Sequence, residues 1–111
     1  MRNRKKILKD LVLLKGNIKI LEKELSKYHW DIEKSLITID TVYFINVLKR
    51  YINNEIDFNI LSNWANAIEC REDLDFSNEI IQEIIYELAN FEINGEITKE
   101  RLNEIISQLE S

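Results

Sequence analysis

The chain has 111 residues, of which 45% are hydrophobic and 32% are charged, with no proline and only two glycines. This length favours a single domain, and the apolar content supports a buried core and excludes the disordered class. The shortage of glycine and proline argues against an all-β fold, whose turns need both residues. We therefore expect one all-α domain over residues 1–111, a compact bundle of about five helices.

Charge is distributed unevenly along the chain, which has a formal net charge of −5. Residues 1–34 carry ten basic and five acidic side chains, a net of +5, and residues 35–111 carry five and fifteen, a net of −10. Phosphates would be repelled by the acidic part, so we expect no nucleic-acid partner. A basic protein partner is the natural inference from this charge.

Cysteine and histidine are too few for two common kinds of site. A single cysteine, Cys70, excludes an intramolecular disulfide framework, and with the single histidine, His29, it excludes a Cys/His zinc site. The basic start of the chain is not followed by a signal-peptide pattern, and no apolar run has the length of a membrane span. We expect a cytoplasmic protein without membrane contact, metal or cofactor.

The first segment, from Arg4 to Tyr28, has an amphipathic pattern that predicts one long basic helix, assigned to residues 1–27. Apolar residues recur at alternating spacings of four and three, as in a heptad seam. Gly16 lies off the seam and permits a bend. We favour a seam packed on the same chain in a monomer, and the alternative is a homodimer zipped through it. The seam ends at Tyr28, and its six earlier residues, which would form the homodimer contact, are Ile7, Leu11, Leu14, Ile18, Leu21 and Leu25.

Residues 40–110 predict an acidic bundle of four further helices, preceded by a connector that includes residues 35–39. The predicted N-caps are Asp40 or Thr41, Asp57, Ser77 and Thr98, and Asn94-Gly95 predicts a turn. The predicted buried faces are Val42, Ile45, Leu48 and Ile52, with Lys49 at the edge; Ile60, Leu61, Trp64, Ala65 and Ile68; Ile80, Ile81, Ile84, Ile85 and Leu88; and Leu102, Ile105, Ile106 and Leu109.

No set of residues in the sequence is typical of catalysis. Cys70 and His29 are the only candidates for a nucleophile paired with a base, and no motif positions either one. The acidic stretch around Glu72 lacks the glycine and the ligand order of a calcium-binding loop. A glycine-rich phosphate loop is also missing. We expect a binding protein rather than an enzyme.

A row of carboxylates is the strongest candidate for a binding surface. Glu79, Glu83 and Glu87 recur every four positions and therefore share one face of a predicted helix. Carboxylates spaced in this way resemble a phosphate backbone, which suits a protein that blocks a basic nuclease groove. The alternative is a plain solvated face. The predicted partner-binding residues are Glu72, Asp73, Asp75, Glu79, Glu83 and Glu87.

Several blocks of the sequence resemble a group of small helical bacterial proteins, over about residues 28–109. The blocks are Tyr28-x-Trp30-Asp31, Leu36 to Thr38, Val47-Leu48-x-Arg50-Tyr51-Ile52, Glu55-Ile56, Trp64-Ala65-Asn66-Ala67-Ile68-Glu69-x-Arg71-Glu72-Asp73, and Glu87-Leu88-Ala89-Asn90-x-Glu92-Ile93-x-Gly95-x-Ile97-Thr98. Some members resemble immunity proteins of the colicin-D and contact-dependent growth inhibition kind, which bind a toxin directly and neutralise it.

The resemblance implies an all-α fold and an immunity-like function. The partner would be a cognate toxin protein with a basic, nuclease-type domain. The alternative function is a homo-oligomeric helical scaffold or regulatory protein that uses the N-terminal seam as its contact. A large secreted protein with a basic C-terminal domain, encoded in the adjacent reading frame, would favour the first function over the second.

Overall fold

A computed structural model describes residues 4–27, 37–69, 71, 74–91, 95 and 97–110. Six helices lie in this part of the chain, with two three-residue strands between them. The prediction of an all-α bundle is confirmed. The elements are α1 (Arg4–Val12), α2 (Ile18–Leu25), β1 (Ile37–Ile39), α3 (Thr41–Ile52), α4 (Phe58–Glu69), β2 (Leu74–Phe76), α5 (Glu79–Ala89) and α6 (Lys99–Glu110).

The N-terminal segment is two helices, so the prediction of one long helix is wrong. At the end of α1 the backbone N–H of Leu14 donates to the carbonyl of Leu11 over 3.0 Å, and that of Lys15 donates to the carbonyl of Asp10 over 2.8 Å. This pair of bonds is a Schellman cap, which requires a left-handed residue just past the helix. Leu14 supplies it with a φ of 55°, and Gly16 follows with a φ of 102°.

Two side chains stabilise the break between α1 and α2. The Asn17 carboxamide accepts hydrogen bonds from two backbone N–H groups in the first turn of α2, over 2.9 and 3.2 Å, and so caps that helix. Arg50, on α3, donates to the carbonyls of Leu14 and Leu13 over 2.9 and 3.4 Å. Leu13 and Leu14 follow the last residue of α1, and in a continuous helix their carbonyls would accept from backbone N–H groups four residues ahead. The guanidinium replaces those hydrogen bonds.

The apolar seam packs within the same chain, as expected. α1 and α2 contact each other, and both contact α4. Five of the six seam side chains are at most 4% exposed, and Ile18 is partly buried against the same core. The residues offered for a homodimer zipper are therefore part of the chain's own core.

Residues 37–39 form a strand, where the sequence predicted a connector. β1 pairs in parallel with β2, with Ile37 opposite Leu74 and Ile39 opposite Phe76. Ile39 is fully buried, and β1 contacts α1. Because the partner strand lies on the far side of α3 and α4 in the chain, the local sequence carries no sign of this pairing.

Trp64 is the largest fully buried side chain of the core, which confirms its predicted place on the inner face of α4. Its indole N–H donates to the carbonyl of Leu11 over 2.9 Å, so it ties α4 to α1. The ring of Phe44 stacks on it with centroids 6.3 Å apart. Ser62, also buried, donates its hydroxyl to the carbonyl of Leu88 and so ties α4 to α5.

The predicted faces of α3 and α4 each contain one residue that the structure exposes. Val42 is 70% exposed and Ile60 is 39% exposed. On α3 the buried face is instead formed by Phe44, Val47 and Leu48, because α4 and α6 pack on that side of the helix. The apolar residues that start at Val42 recur with the helical period. They nevertheless indicate a slightly different face of α3 from the one that tertiary packing buries.

The predicted helix starts are confirmed except for one. Side-chain oxygens of Asp40, Asp57 and Thr98 each accept from a backbone N–H three residues ahead. Asn78, not Ser77, caps α5, and its carboxamide accepts from the N–H groups of the second and third helical residues. The Asn94 half of the predicted Asn94-Gly95 turn, His29 and Cys70 lie outside the described residues.

Candidate functional site

The outer face of α5 forms an open groove with a volume of about 610 Å³. The inner face of the helix carries four buried residues and packs on α4, which fixes the orientation of the outer face. A carboxylate in the first turn, Glu79, is also favoured by the partial positive charge of the helix N-terminus. The groove is lined by Glu79, Gln82, Glu83, Ile84, Tyr86, Glu87 and Arg101.

Three of the six predicted partner-binding residues meet in this groove: Glu79, Glu83 and Glu87. Asp75 is exposed on β2 and is not among the lining residues, and its carboxylate accepts from the backbone N–H of Phe76 over 2.9 Å. Glu72 and Asp73 fall outside the described residues. The three glutamates of the predicted helical row therefore line one groove, and Asp75 does not line it.

Glu87 has a partner within the chain. The Nη2 atom of Arg101, on α6, lies 2.9 Å from one carboxylate oxygen of Glu87 and 3.1 Å from the other. The Glu87 side chain is 29% exposed. By contrast, Glu79 and Glu83 are exposed, and neither makes an ion pair within the described residues. The negative charge available to a partner along α5 is therefore concentrated at its first two turns.

Tyr86 is the aromatic residue of the groove that the sequence reasoning missed, and Gln82, Ile84 and Arg101 also line the groove without having been predicted as site residues. Tyr86 is one of the large hydrophobic residues that the structure exposes, with 55% of its surface accessible. It follows Glu83 by three positions and Glu79 by seven, so all three share one face of the helix. This spacing was the signal in the sequence. Arg101 carried no such signal, because it comes from another helix.

Neither a metal site nor a membrane span is found in the described residues. No group of three or more His, Cys, Asp or Glu side chains within these ranges is arranged to hold a metal ion. None of the helices described combines the length and the apolar character needed to cross a bilayer.

No protein-family model, curated protein or solved structure matches the chain.

Proposed function

We propose that this protein is an immunity-like inhibitor that neutralises a cognate bacterial toxin by binding a basic, nuclease-type domain of that toxin. The observation that carries the proposal is the groove on the outer face of α5, which is lined by an exposed tyrosine and by two carboxylates without an ion pair in the described part of the chain. A groove of this kind offers both an electrostatic and an apolar contact to one partner.

The electrostatic support comes from the chain as a whole. Residues 35–111 carry a net charge of −10, and the unpaired carboxylates of Glu79 and Glu83 concentrate part of that charge on one helix face. Complementary charge of this kind raises the association rate of a basic partner more than it lowers the dissociation rate. Exposed charges act over about 8 to 10 Å at physiological ionic strength, so this contribution falls as salt rises.

Tyr86 supports the proposal as an apolar anchor. Tyrosine is enriched among the few interface residues that dominate binding energy, because its ring buries a large area with few rotatable bonds. A lysine or arginine of the partner can place its aliphatic stem on the ring of Tyr86 and its charged group beside Glu83, one turn away. Glu83 and Tyr86 then bind the same basic side chain.

The resemblance of residues 28–109 to small immunity-like proteins supports a toxin as the partner. The acidic groove agrees with that resemblance in its chemistry, since a nuclease domain needs a basic surface to bind phosphates. The acidic groove by itself favours a basic partner. The resemblance of the sequence specifies that this partner is a toxin.

Charge reversal at the groove tests the proposal. The double variant Glu79→Lys with Glu83→Lys leaves the buried face of α5 and the ion pair of Glu87 unchanged. We expect it to fold and to slow association with the basic domain encoded in the adjacent reading frame by about tenfold or more at low salt. Cells that express the variant should lose protection against that domain. Stopped-flow kinetics at two salt concentrations and a survival assay measure these outcomes.

A matched control lies on α6. Glu100 and Glu104 are also exposed, four positions apart and at the start of a helix, and they are not in the groove. Reversal of both to lysine changes the net charge by the same amount, so it should leave association and protection near the parent values. If the α6 variant is as impaired as the α5 variant, net charge rather than the groove explains binding. Full binding and protection by a folded α5 variant would exclude the groove.

A further inference from the structure

The connection between α1 and α2 keeps the heptad spacing that the two helices share. Residues 13–17 form this connection, which we call the hinge. Seam residues recur at alternating intervals of four and three on both sides of the hinge, and Leu14 occupies the seam position within it. An insertion or a deletion would shift the apolar stripe, and the hinge contains neither. A helical hinge would therefore join α1 and α2 into one helix with an uninterrupted apolar stripe.

The backbone of the hinge has a conformation that a helix would relieve. Leu14 has a φ of 55°, in the left-handed region that bulky L residues rarely adopt. The N–H groups of Gly16, Asn17 and Ile18 make no hydrogen bond within the part of the chain that the structure describes. In a continuous helix Leu14 would have right-handed backbone, and each of those N–H groups would donate to the carbonyl four residues earlier.

Arg50 can release the hinge without becoming an unpaired buried charge. Its Nη1 atom donates to the two hinge carbonyls, and its Nε atom lies 3.6 Å from a carboxylate oxygen of Glu55. The Arg50 side chain is 32% exposed, so water and Glu55 can replace the carbonyls as partners. The carbonyls of Leu13 and Leu14 would accept from backbone N–H groups of the straightened helix instead.

We infer that the hinge can straighten and that two copies of this chain then exchange α1. Straightening withdraws the inward side of α1 from its own core, so a single opened chain would expose four apolar side chains and leave their site empty. A second opened copy supplies both a matching α1 and a matching site, because the two surfaces already contact each other in the structure. Such an exchange of identical elements is domain swapping. The inward residues of α1, all fully buried, are Ile7, Leu8, Leu11 and Val12.

The contacts of the exchanged helix are those that the structure shows. α1 packs on α2, α4 and β1, and the carbonyl of Leu11 accepts from the indole N–H of Trp64. In the swapped dimer the same contacts form between the two copies, and only the hinge changes conformation. The residues that line the groove of α5 belong to α5 and α6, which take no part in the exchange. The inference therefore does not depend on the proposed function.

Two glycines provide a matched pair of variants. Gly16 has a φ of 102° and Gly95 a φ of 82°, and a β-carbon at either position would meet nothing within 4 Å. Alanine disfavours the positive φ at both positions, but only at position 16 does it also favour a helical hinge. Gly16→Ala should lower the dissociation constant of the dimer at least tenfold. Gly95→Ala should leave that constant near the parent value, because it destabilises monomer and dimer equally.

Sedimentation velocity measures the dissociation constants. We expect the parent to be monomeric at about 10 μM and to form a detectable dimer at about 1 mM. Each sample is refolded from urea at its final concentration, because exchange requires α1 to leave the core of its own chain. Circular dichroism should show that every variant is folded.

Ile18→Pro should have the opposite effect on dimerisation. Ile18 is the first residue of α2, where proline is well tolerated, and Asn17 before it has the extended backbone that proline favours, with φ −85° and ψ 125°. The conformation of the structure therefore accepts proline at position 18. In a straightened helix the same position is interior, where proline removes a hydrogen bond and breaks the helix. The variant should fold and stay monomeric at about 1 mM.

Amide hydrogen exchange distinguishes the straightened hinge from the docking of two unopened copies. In the dimer the N–H groups of Gly16, Asn17 and Ile18 should exchange at least tenfold more slowly than in the monomer, because they become part of a helix. Parent and Gly16→Ala chains that both stay monomeric up to about 1 mM would overturn the inference. So would a dimer that Ile18→Pro leaves intact, an equal increase for Gly95→Ala, or a dimer whose hinge amides exchange as fast as those of the monomer.

Discussion

Gly16 offers a test in which the sign of the stability change distinguishes the broken helix from the continuous one. Gly16 has a φ of 102°, and a β-carbon added there would meet nothing within 4 Å. Gly16→Ala therefore tests the backbone conformation without a steric clash. If residues 4–28 formed the continuous helix that the apolar seam predicts, alanine would stabilise the protein by about 1 kcal/mol, because it is the better helix former.

The structure requires the opposite result. An L residue in left-handed backbone costs roughly 1 to 2 kcal/mol, and alanine recovers about 0.4 to 1 kcal/mol of this by lowering the entropy of the unfolded chain. The net effect is a loss of about 1 kcal/mol. For a domain of this size, that loss lowers the melting temperature by about 4 °C or more. The two conformations thus differ by about 2 kcal/mol in the expected effect of one methyl group.

Gly16→Asn provides the matched comparison. Asparagine adopts positive φ more readily than alanine does, so the order of stability in the broken helix is glycine, then asparagine, then alanine. In a continuous helix the order is reversed. Urea denaturation followed by far-ultraviolet circular dichroism measures the three free energies of unfolding. A variant with alanine that is more stable than the parent would refute the break between α1 and α2.

Three further substitutions test the core, an exposed aromatic as its comparison, and the support of the break. Trp64→Ala should lower the free energy of unfolding by about 3 to 5 kcal/mol, because it leaves a cavity and removes the bond to Leu11; Tyr86→Ala, at an exposed aromatic, should change it by less than about 0.5 kcal/mol. A Trp64→Ala protein that melts with the parent would exclude Trp64 from the core. Arg50→Met should cost about 1 to 3 kcal/mol, since it removes the donor to the carbonyls of Leu13 and Leu14, and hydrogen exchange should quicken most in α1. Equal exchange rates in α1 of parent and variant would show that the guanidinium does not support the break.

The fold class and most helix starts follow from local properties of the sequence. Absence of proline, scarcity of glycine and a helical period of apolar residues are properties of composition and of near neighbours. N-caps such as Asp40, Asp57 and Thr98 bond to backbone groups three residues ahead, so they too can be recognised locally. The same holds for the acidic row of α5, since residues four apart share a helix face wherever the helix lies.

Tertiary structure decided the features that depend on residues distant in the chain. The spacing of the apolar seam residues continues unchanged from α1 into α2. Periodicity alone therefore could not distinguish two helices from one. The local signals of the break are Gly16 and the Asn17 cap of α2, and its tertiary support is the pair of hydrogen bonds from Arg50 of α3. Likewise β1 needs β2, from beyond two helices, as its hydrogen-bonding partner.

The groove of α5 shows the same division. The sequence placed Glu79, Glu83 and Glu87 on one face, but the ion pair with Arg101 of α6 removes Glu87 from the charge available to a partner. That pairing requires α6 to lie against the end of α5, which no local pattern specifies. Hydrogen bonds and periodicity between near neighbours can be inferred from the sequence, whereas a contact between helices exists only once the core has fixed their relative positions.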